Sequence, residues 1–122
     1  MSKFVIRSVG SGMKFDLKAA NGEVILTSEV YATEAACRKG IGSVRKNALA
    51  ANVEDQTAEG YKTLTHPKFE MYQDKARQFR FRLKARNGEI IAASEGYAAK
   101  AGCLNGIESV KRNAGDAEVT AE

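Results

Sequence analysis

The chain says the same thing twice. "NGEVILTSEVYATEAACRKGIGSVRKNA", Asn21 to Ala48, returns sixty-six residues later as "NGEIIAASEGYAAKAGCLNGIESVKRNA", Asn87 to Ala114. Met13–Ala48 and Phe79–Ala114 agree at 20 of 36 positions without a gap, which marks a fold built from one unit used twice. The match extends backward, from "KFVIRS" at Lys3 to "KFEMYQ" at Lys68, with one extra residue in the second copy near Lys75–Gln78. A chain of 122 residues suffices for one cored domain, whereas half of it, about sixty residues, is marginal alone. The two copies are therefore expected to bury their apolar faces against each other.

Within a copy the periods are legible. Phe4 and Ile6 fall on one side of "KFVIRSV", as Phe69 and Met71 do in "FEMY"; Met13, Phe15, Leu17 and Phe79, Phe81, Leu83 share a face more cleanly, the two-residue period of a half-buried strand. Asn21-Gly22 and Asn87-Gly88 follow, and Asn-Gly predicts a two-residue type I′ hairpin turn. "EVILTS" and "EIIAAS" read as the returning third strands. A helix is expected from about Thr33 to Asn47 and again from Ala99 to Asn113. Cys37, Ile41, Val44 and Ala48 form its apolar stripe, matched by Cys103, Ile107, Val110 and Ala114. Thr33 is a fitting N-cap; Ala99 gives up that cap, worth around 1 kcal/mol. Gly40 with Ser43, and Gly106 with Ser109, lie beside the stripe, and a mid-helix glycine costs about 1 kcal/mol relative to Ala. Both predict close approach of another backbone, the sister helix or the sheet. Tyr31 and Tyr97 are expected to bury a ring between strand and helix.

The expected organisation is one α+β domain of two tandem βββα repeats, with an antiparallel sheet and two helices. Repeat one spans 3–48 and repeat two 68–114; 49–67 is a connector and 115–122 a tail. The connector, "LAANVEDQTAEGYKTLTHP", is polar, carries Gly60 and the sole proline, Pro67, and is given a short extended piece at Tyr61–Thr65.

The repeated phrase, aromatic-x-Leu-Lys-Ala, Asn-Gly-Glu, Ser-Glu-x-Tyr, then Gly-Ile-x-Ser-Val-(Lys/Arg)-x-Asn, resembles the repeat of the YegP-like family of small bacterial proteins. In copy one it reads Phe15-Asp-Leu-Lys-Ala, Asn21-Gly-Glu, Ser28-Glu-Val-Tyr31 and Gly40-Ile-Gly-Ser-Val-Arg-Lys-Asn47. The resemblance implies an α+β fold of two intertwined βββα units related by a pseudo-twofold axis. It brings no activity, and no catalytic residue is carried over from it.

Candidate chemistry is sparse. The single histidine, His66, lies in the connector without a counterpart in copy one, as a solvent-facing loop residue would. Cys37 and Cys103 sit on the apolar stripes, where free cysteine behaves as a small hydrophobe; a cysteine-dependent enzyme is the least favoured alternative, although Lys100 lies one turn from Cys103. Glu29 and Glu95 are expected to pair across the hairpins with Lys14 and Arg80. No phosphate loop and no metal-ligand spacing is present, so no cofactor or metal is expected.

The strongest functional signal is "RQFRFRLKAR", which aligns Arg80, Arg82, Lys84 and Arg86 on one strand face, spaced about 6.6–6.8 Å apart, near the spacing of successive phosphates. Lys75 and Arg77 add charge at the preceding turn. Against a nucleic-acid role, Phe79 and Phe81 face the core and offer no stacking platform, and a pI of about 9.1 is only mildly basic. Arg38, Lys39, Arg45 and Lys46 cover the outer side of the first helix, where cations in the last turn complement its dipole.

The sequence thus favours a non-enzymatic binding or interaction module. Its working surface would be the outer sheet face or the cleft where the repeats meet, with a protein partner possible. Weak nucleic-acid binding through the basic strand is the alternative. The expected state is a monomer that acts as a fused pseudo-dimer, without a membrane anchor. A cytoplasmic location with reduced thiols is expected, since no apolar segment approaches the eighteen or so residues a bilayer requires.

Overall fold

A computed structural model describes residues 1–122. Repeat one contributes strands β1 (Lys3–Val9), β2 (Gly12–Lys18) and β3 (Val24–Ser28), then helix α1 (Glu34–Ala48) and strand β4 (Asn52–Asp55). Repeat two follows the same order with β5 (Lys68–Gln73), β6 (Phe79–Lys84), β7 (Ile90–Ala93), α2 (Lys100–Asn113) and β8 (Glu118–Ala121). The unit is therefore βββαβ. Its last strand falls in segments the sequence reads as connector and tail, while Tyr61–Thr65 forms no strand.

All eight strands make one sheet in the order β4-β5-β6-β7-β3-β2-β1-β8. The halves join where β3 pairs antiparallel with β7, and Thr27 faces Ala93 there. These are equivalent positions, sixty-six residues apart, so the pseudo-twofold axis passes through that pair. Each unit's final strand then crosses over. β4, from repeat one, lies parallel to β5 of repeat two, with Asn52 opposite Lys68. β8, from repeat two, lies parallel to β1 of repeat one, with Glu118 opposite Lys3. The halves are interlocked by strand exchange, and the two outermost pairings are parallel while the rest of the sheet is antiparallel.

Both helices cover one face of the sheet, and 22 buried residues form a single core. Phe4, Phe15, Leu17 and Leu26 from one half meet Phe69, Phe81, Leu83 and Ala92 from the other, under Cys37, Ile41 and Val44 of α1 and Cys103, Ile107 and Val110 of α2. Phe4 stands edge-on to Phe15 at 5.7 Å, and Phe69 to Phe81 at 5.8 Å, the geometry ring quadrupoles favour. Thr33 caps α1 as expected, its Oγ1 accepting from the Ala36 N–H at 3.1 Å, and Ala99 supplies no such bond to α2.

Two local expectations are corrected. Gly22 and Gly88 have positive φ (86° and 87°), but Asn21 and Asn87 do not, so the turns are not type I′. Ala19 and Glu23 close a three-residue loop, the Ala19 N–H donating to the Glu23 carbonyl at 2.9 Å. This is the turn-plus-glycine-bulge alternative, with Asn21 Oδ1 accepting from the Glu23 N–H at 3.0 Å. The second correction concerns the mid-helix glycines. Their nearest neighbours are side chains and not a backbone; a Cβ on Gly40 or Gly106 would overlap the hydroxyl end of Tyr31 or Tyr97. Each tyrosine ring stacks over a core phenylalanine, Phe15 at 6.3 Å or Phe81 at 6.4 Å. The glycine keeps room for the ring of its own repeat.

Candidate functional site

The shared Ser-Glu motif is structural. Ser28 Oγ accepts from the Phe15 N–H at 2.9 Å and donates to the Glu29 carbonyl at 2.8 Å. Ser94 repeats both bonds with Phe81 and Glu95 at 2.9 and 2.8 Å. Each serine thus stands in for a strand carbonyl at the point where the third strand leaves the sheet. The expected cross-strand ion pairs of Glu29 with Lys14 and Glu95 with Arg80 do not form. Arg80 Nε instead donates to Asp74 Oδ2 at 2.6 Å, because Asp74 caps the adjoining turn through the Ala76 and Gln78 N–H groups and turns its other oxygen to the strand.

The cysteines are withheld from solvent. Cys37 and Cys103 are fully buried and unpaired. Burial raises both thiol pKa values, that of Cys103 to about 11 with a further push from Asp55. Lys100, the cation that could stabilise a thiolate, is held by Asp55 at 2.5 Å. No three of the His, Cys, Asp and Glu side chains converge as a metal site would require. His66 is exposed, its ring beside Gly88 of the β6–β7 turn.

The basic strand is largely matched by carboxylates. Glu70 Oε1 accepts from Arg82 Nε at 2.6 Å and lies 3.4 Å from Lys84 Nζ, while the Arg82 guanidinium also covers the Tyr72 ring at 4.6 Å. Of the six cations proposed for a polyanion, Arg80, Arg82 and Lys84 are in ion pairs; Lys75, Arg77 and Arg86 are in none. Below Arg82 the outer face is closed. Lys68 Nζ lies 2.7 Å from Glu54 Oε1 and 3.2 Å from Glu70 Oε2, all three side chains nearly inaccessible. Connector residues complete the enclosure, Gln56 Nε2 and the Leu64 N–H each donating to Glu54 at 2.7 Å. Burial opposes ionisation of Glu54, yet these bonds and that of Lys68 overcome it and hold its pKa at about 2.

The one cavity lies where the repeats meet, an open cleft of about 460 Å³ between α1 and the β6–β7 turn. Lys39, Gly42, Ser43, Lys46 and Asn47 form the α1 wall, and Arg86 and Asn87 the opposite one; Ala85 is the sole apolar residue. Asn47 Nδ2 donates to the Ser43 carbonyl at 2.8 Å and to its Oγ at 3.1 Å, which fixes the helix side. No carboxylate lines the cleft, and its three cations are in no ion pair. Arg45, next to Lys46, is engaged elsewhere: its guanidinium bonds the Ala114 and Ala117 carbonyls and lies 5.4 Å from the Phe4 ring. It ties α1 to the approach of β8, a fuller role than complementing the helix dipole.

The inter-repeat cleft is a candidate surface from the sequence, but the helical pattern places Lys39 and Lys46 merely on the outer side of α1. Nothing local joins them to Arg86, which lies forty residues beyond Lys46. A signal was available in the repeat alignment, where Lys39, Gly42 and Arg86 correspond to Asn105, Glu108 and Ala20. Cations gathered at only one of the two equivalent inter-repeat places are a sign of use.

Comparison with known proteins agrees with this architecture. A UPF0339 protein, YegP, of Escherichia coli O157:H7 is 40% identical over 110 residues, 88% of this chain and 84% of the relative. A UPF0339 protein of Pseudomonas aeruginosa is 35% identical over 122 residues, 99% of this chain and 97% of that one. A UPF0339 protein of Treponema denticola matches 52 residues at 67% identity, 43% of this chain but 90% of the relative, one unit rather than two. The solution NMR structure of yegP from E. coli, described as a protein of unknown function, superposes with a TM-score of 0.81 at 33% identity, covering 99% of this chain and 92% of that one. The family model described as "Domain of unknown function (DUF1508)" matches residues 11–55 and again 74–120. Each match runs from the second strand through the helix to the exchanged strand, and the chain belongs to this family, with two copies of its unit.

Proposed function

We propose that the protein is a non-enzymatic binding module that holds an anionic ligand in the cleft between α1 and the β6–β7 turn. The observation that carries this reading is the disposition of charge. Along β6 each cation meets a carboxylate, whereas Lys39, Lys46 and Arg86 surround a concavity that contains none. Three like charges held around one hollow repel one another, and an anion relieves that repulsion. The buried thiols, withheld from ionisation, support a role without catalysis. Two free cysteines accord with a reducing compartment, and a cytoplasmic location goes with the proposal.

Retention on a polyanion column at low salt tests it. Replacing Lys39, Lys46 and Arg86 by Gln is expected to bring elution to markedly lower salt, while Arg80→Gln with Arg82→Gln changes it little. The opposite pattern would move binding to the β6 face and restore the nucleic-acid alternative. Absence of retention for the wild type would contradict both.

A further inference from the structure

Resting on the anion-binding reading above, we infer that the ligand is a compact, multiply charged phosphate compound, with two or three phosphates close together on a small molecule, and that Gly42 is the residue that admits it. The two halves of the protein provide an internal control. At the pseudo-symmetric place, between α2 and the β2–β3 turn, the scaffold is the same: Asn113 bonds Ser109 at 2.8 and 3.1 Å, as Asn47 bonds Ser43, and Asn21 stands for Asn87. Those shared groups build the fold.

The differences lie in what lines the hollow. Lys39 becomes Asn105, Arg86 becomes Ala20, Lys46 becomes Arg112 and Gly42 becomes Glu108. Side-chain charge is +3 from Lys39, Lys46 and Arg86 on one side; on the other, Arg112 and Glu108 sum to zero. No cavity forms on the neutral side. Architecture asks for neither the charge nor the opening, since the sister half folds without them.

Gly42 is the independent observation. Gly40 is explained by the Tyr31 ring, but a Cβ on Gly42 would meet nothing within 4 Å. A helix-interior glycine costs about 1 kcal/mol relative to Ala, and here no packing requires it. It keeps that wall of the cleft bare where the sister helix projects a carboxylate.

Size and lining set the ligand class. A hollow of about 460 Å³ lies in the range of about 300–1,000 Å³ used for small molecules. With one apolar lining residue it offers nothing to a greasy ligand. Three cations, with Ser43 and Asn87 as further polar groups, match a cluster of phosphate oxygens, Arg86 as a planar fork and the lysines as point charges. An extended nucleic acid strand is disfavoured, because the neighbouring β6 cations are already paired and the phenylalanines of β6 face the core.

Titration calorimetry and amide chemical-shift mapping of the full chain with inorganic tripolyphosphate provide the test, with orthophosphate and a single-stranded oligonucleotide as the other arms. The expected result is one tripolyphosphate per chain, bound at least tenfold tighter than orthophosphate, with shifts centred on Gly42, Ser43, Asn47 and Asn87. Gly42→Glu is expected to weaken it at least tenfold, and Lys39→Gln with Lys46→Gln to do the same should Gly42→Glu fail to fold. Arg80→Gln is expected to leave it unchanged. Equal affinity for tripolyphosphate and orthophosphate, or indifference to both cleft variants, overturns the inference. If the oligonucleotide alone moves the cleft resonances, the anion-binding reading stands and the compact ligand falls. If no anion moves them, both fall.

Discussion

Lys68 and Glu54 sit on parallel neighbouring strands, the one opening repeat two and the other closing repeat one, and their side chains meet at 2.7 Å with exposures of 5% and 1%. The pair forms only because β4 crosses into the other half of the sheet. It converts a topological feature into an electrostatic one. Removing one partner of a buried pair leaves an uncompensated charge and typically costs about 3–5 kcal/mol. Lys68→Ala is expected to lose that much in urea unfolding. Lys3→Ala, at the equivalent but exposed position of β1, is expected to stay within about 0.5 kcal/mol. Equal effects would contradict the assigned difference.

The same network makes stability depend on acid. Glu54 has a folded pKa of about 2, below the roughly 4.3 of an unfolded glutamate. Its contribution is therefore full above about pH 4.3 and is lost as pH falls toward 2. Melting temperatures across that window are expected to fall less steeply for Glu54→Gln than for the wild type, so that the two converge as pH drops. Parallel curves would show that Glu54 does not carry this dependence.

The two glycines of α1 make opposite predictions. Gly40→Ala forces a methyl into the Tyr31 ring and is expected to destabilise by about 1–3 kcal/mol, as overpacking does. Gly42→Ala meets open space and is expected to stabilise by up to about 1 kcal/mol through helix propensity. Thermal denaturation of the two variants decides the matter; a stabilised Gly40→Ala would mean the ring does not occupy the place assigned to it.

Ser28→Ala removes the partner of a buried backbone N–H, and an unsatisfied buried donor costs about 1–3 kcal/mol. Ser94→Ala is expected to match it, because Ser94 bonds Phe81 and Glu95 at the same distances. Unfolding free energies that differ widely between the two would break the equivalence of the halves.

Neither thiol should react with an aromatic disulfide reagent at pH 8 in the native protein, since both are buried and burial raises their pKa values. Denaturant should then release two per chain. Rapid labelling of one thiol before unfolding would reopen the cysteine chemistry set aside above.

What the sequence disclosed was what is local. Alternation in "FRFRLKA" and the helical stripe of Cys37, Ile41 and Val44 name their own elements, because strand and helix periods are written in neighbouring residues. The exchanged strands were not legible. "NVED" and "EVTA" are four residues long with one large apolar side chain each, Val53 and Val119, too short to show a period. Their partners are supplied by the other repeat; Lys3 meets Glu118 across nearly the whole chain. The basic strand was legible as a charge pattern but not as a set of ion pairs, since Asp74 and Glu70 acquire their partners only through turn and register. The cleft combines Lys39 and Lys46 with Arg86 only after the sheet has closed across β3 and β7.

The interlocked sheet is tested most directly by cutting it in two. Residues 1–60 hold one complete βββαβ unit whose final strand pairs, in the whole chain, with the other copy. Sedimentation equilibrium with a parallel thermal melt is predicted to show either a dimer that completes its sheet by mutual exchange, or a chain without a cooperative transition. A monomer that melts cooperatively would contradict it.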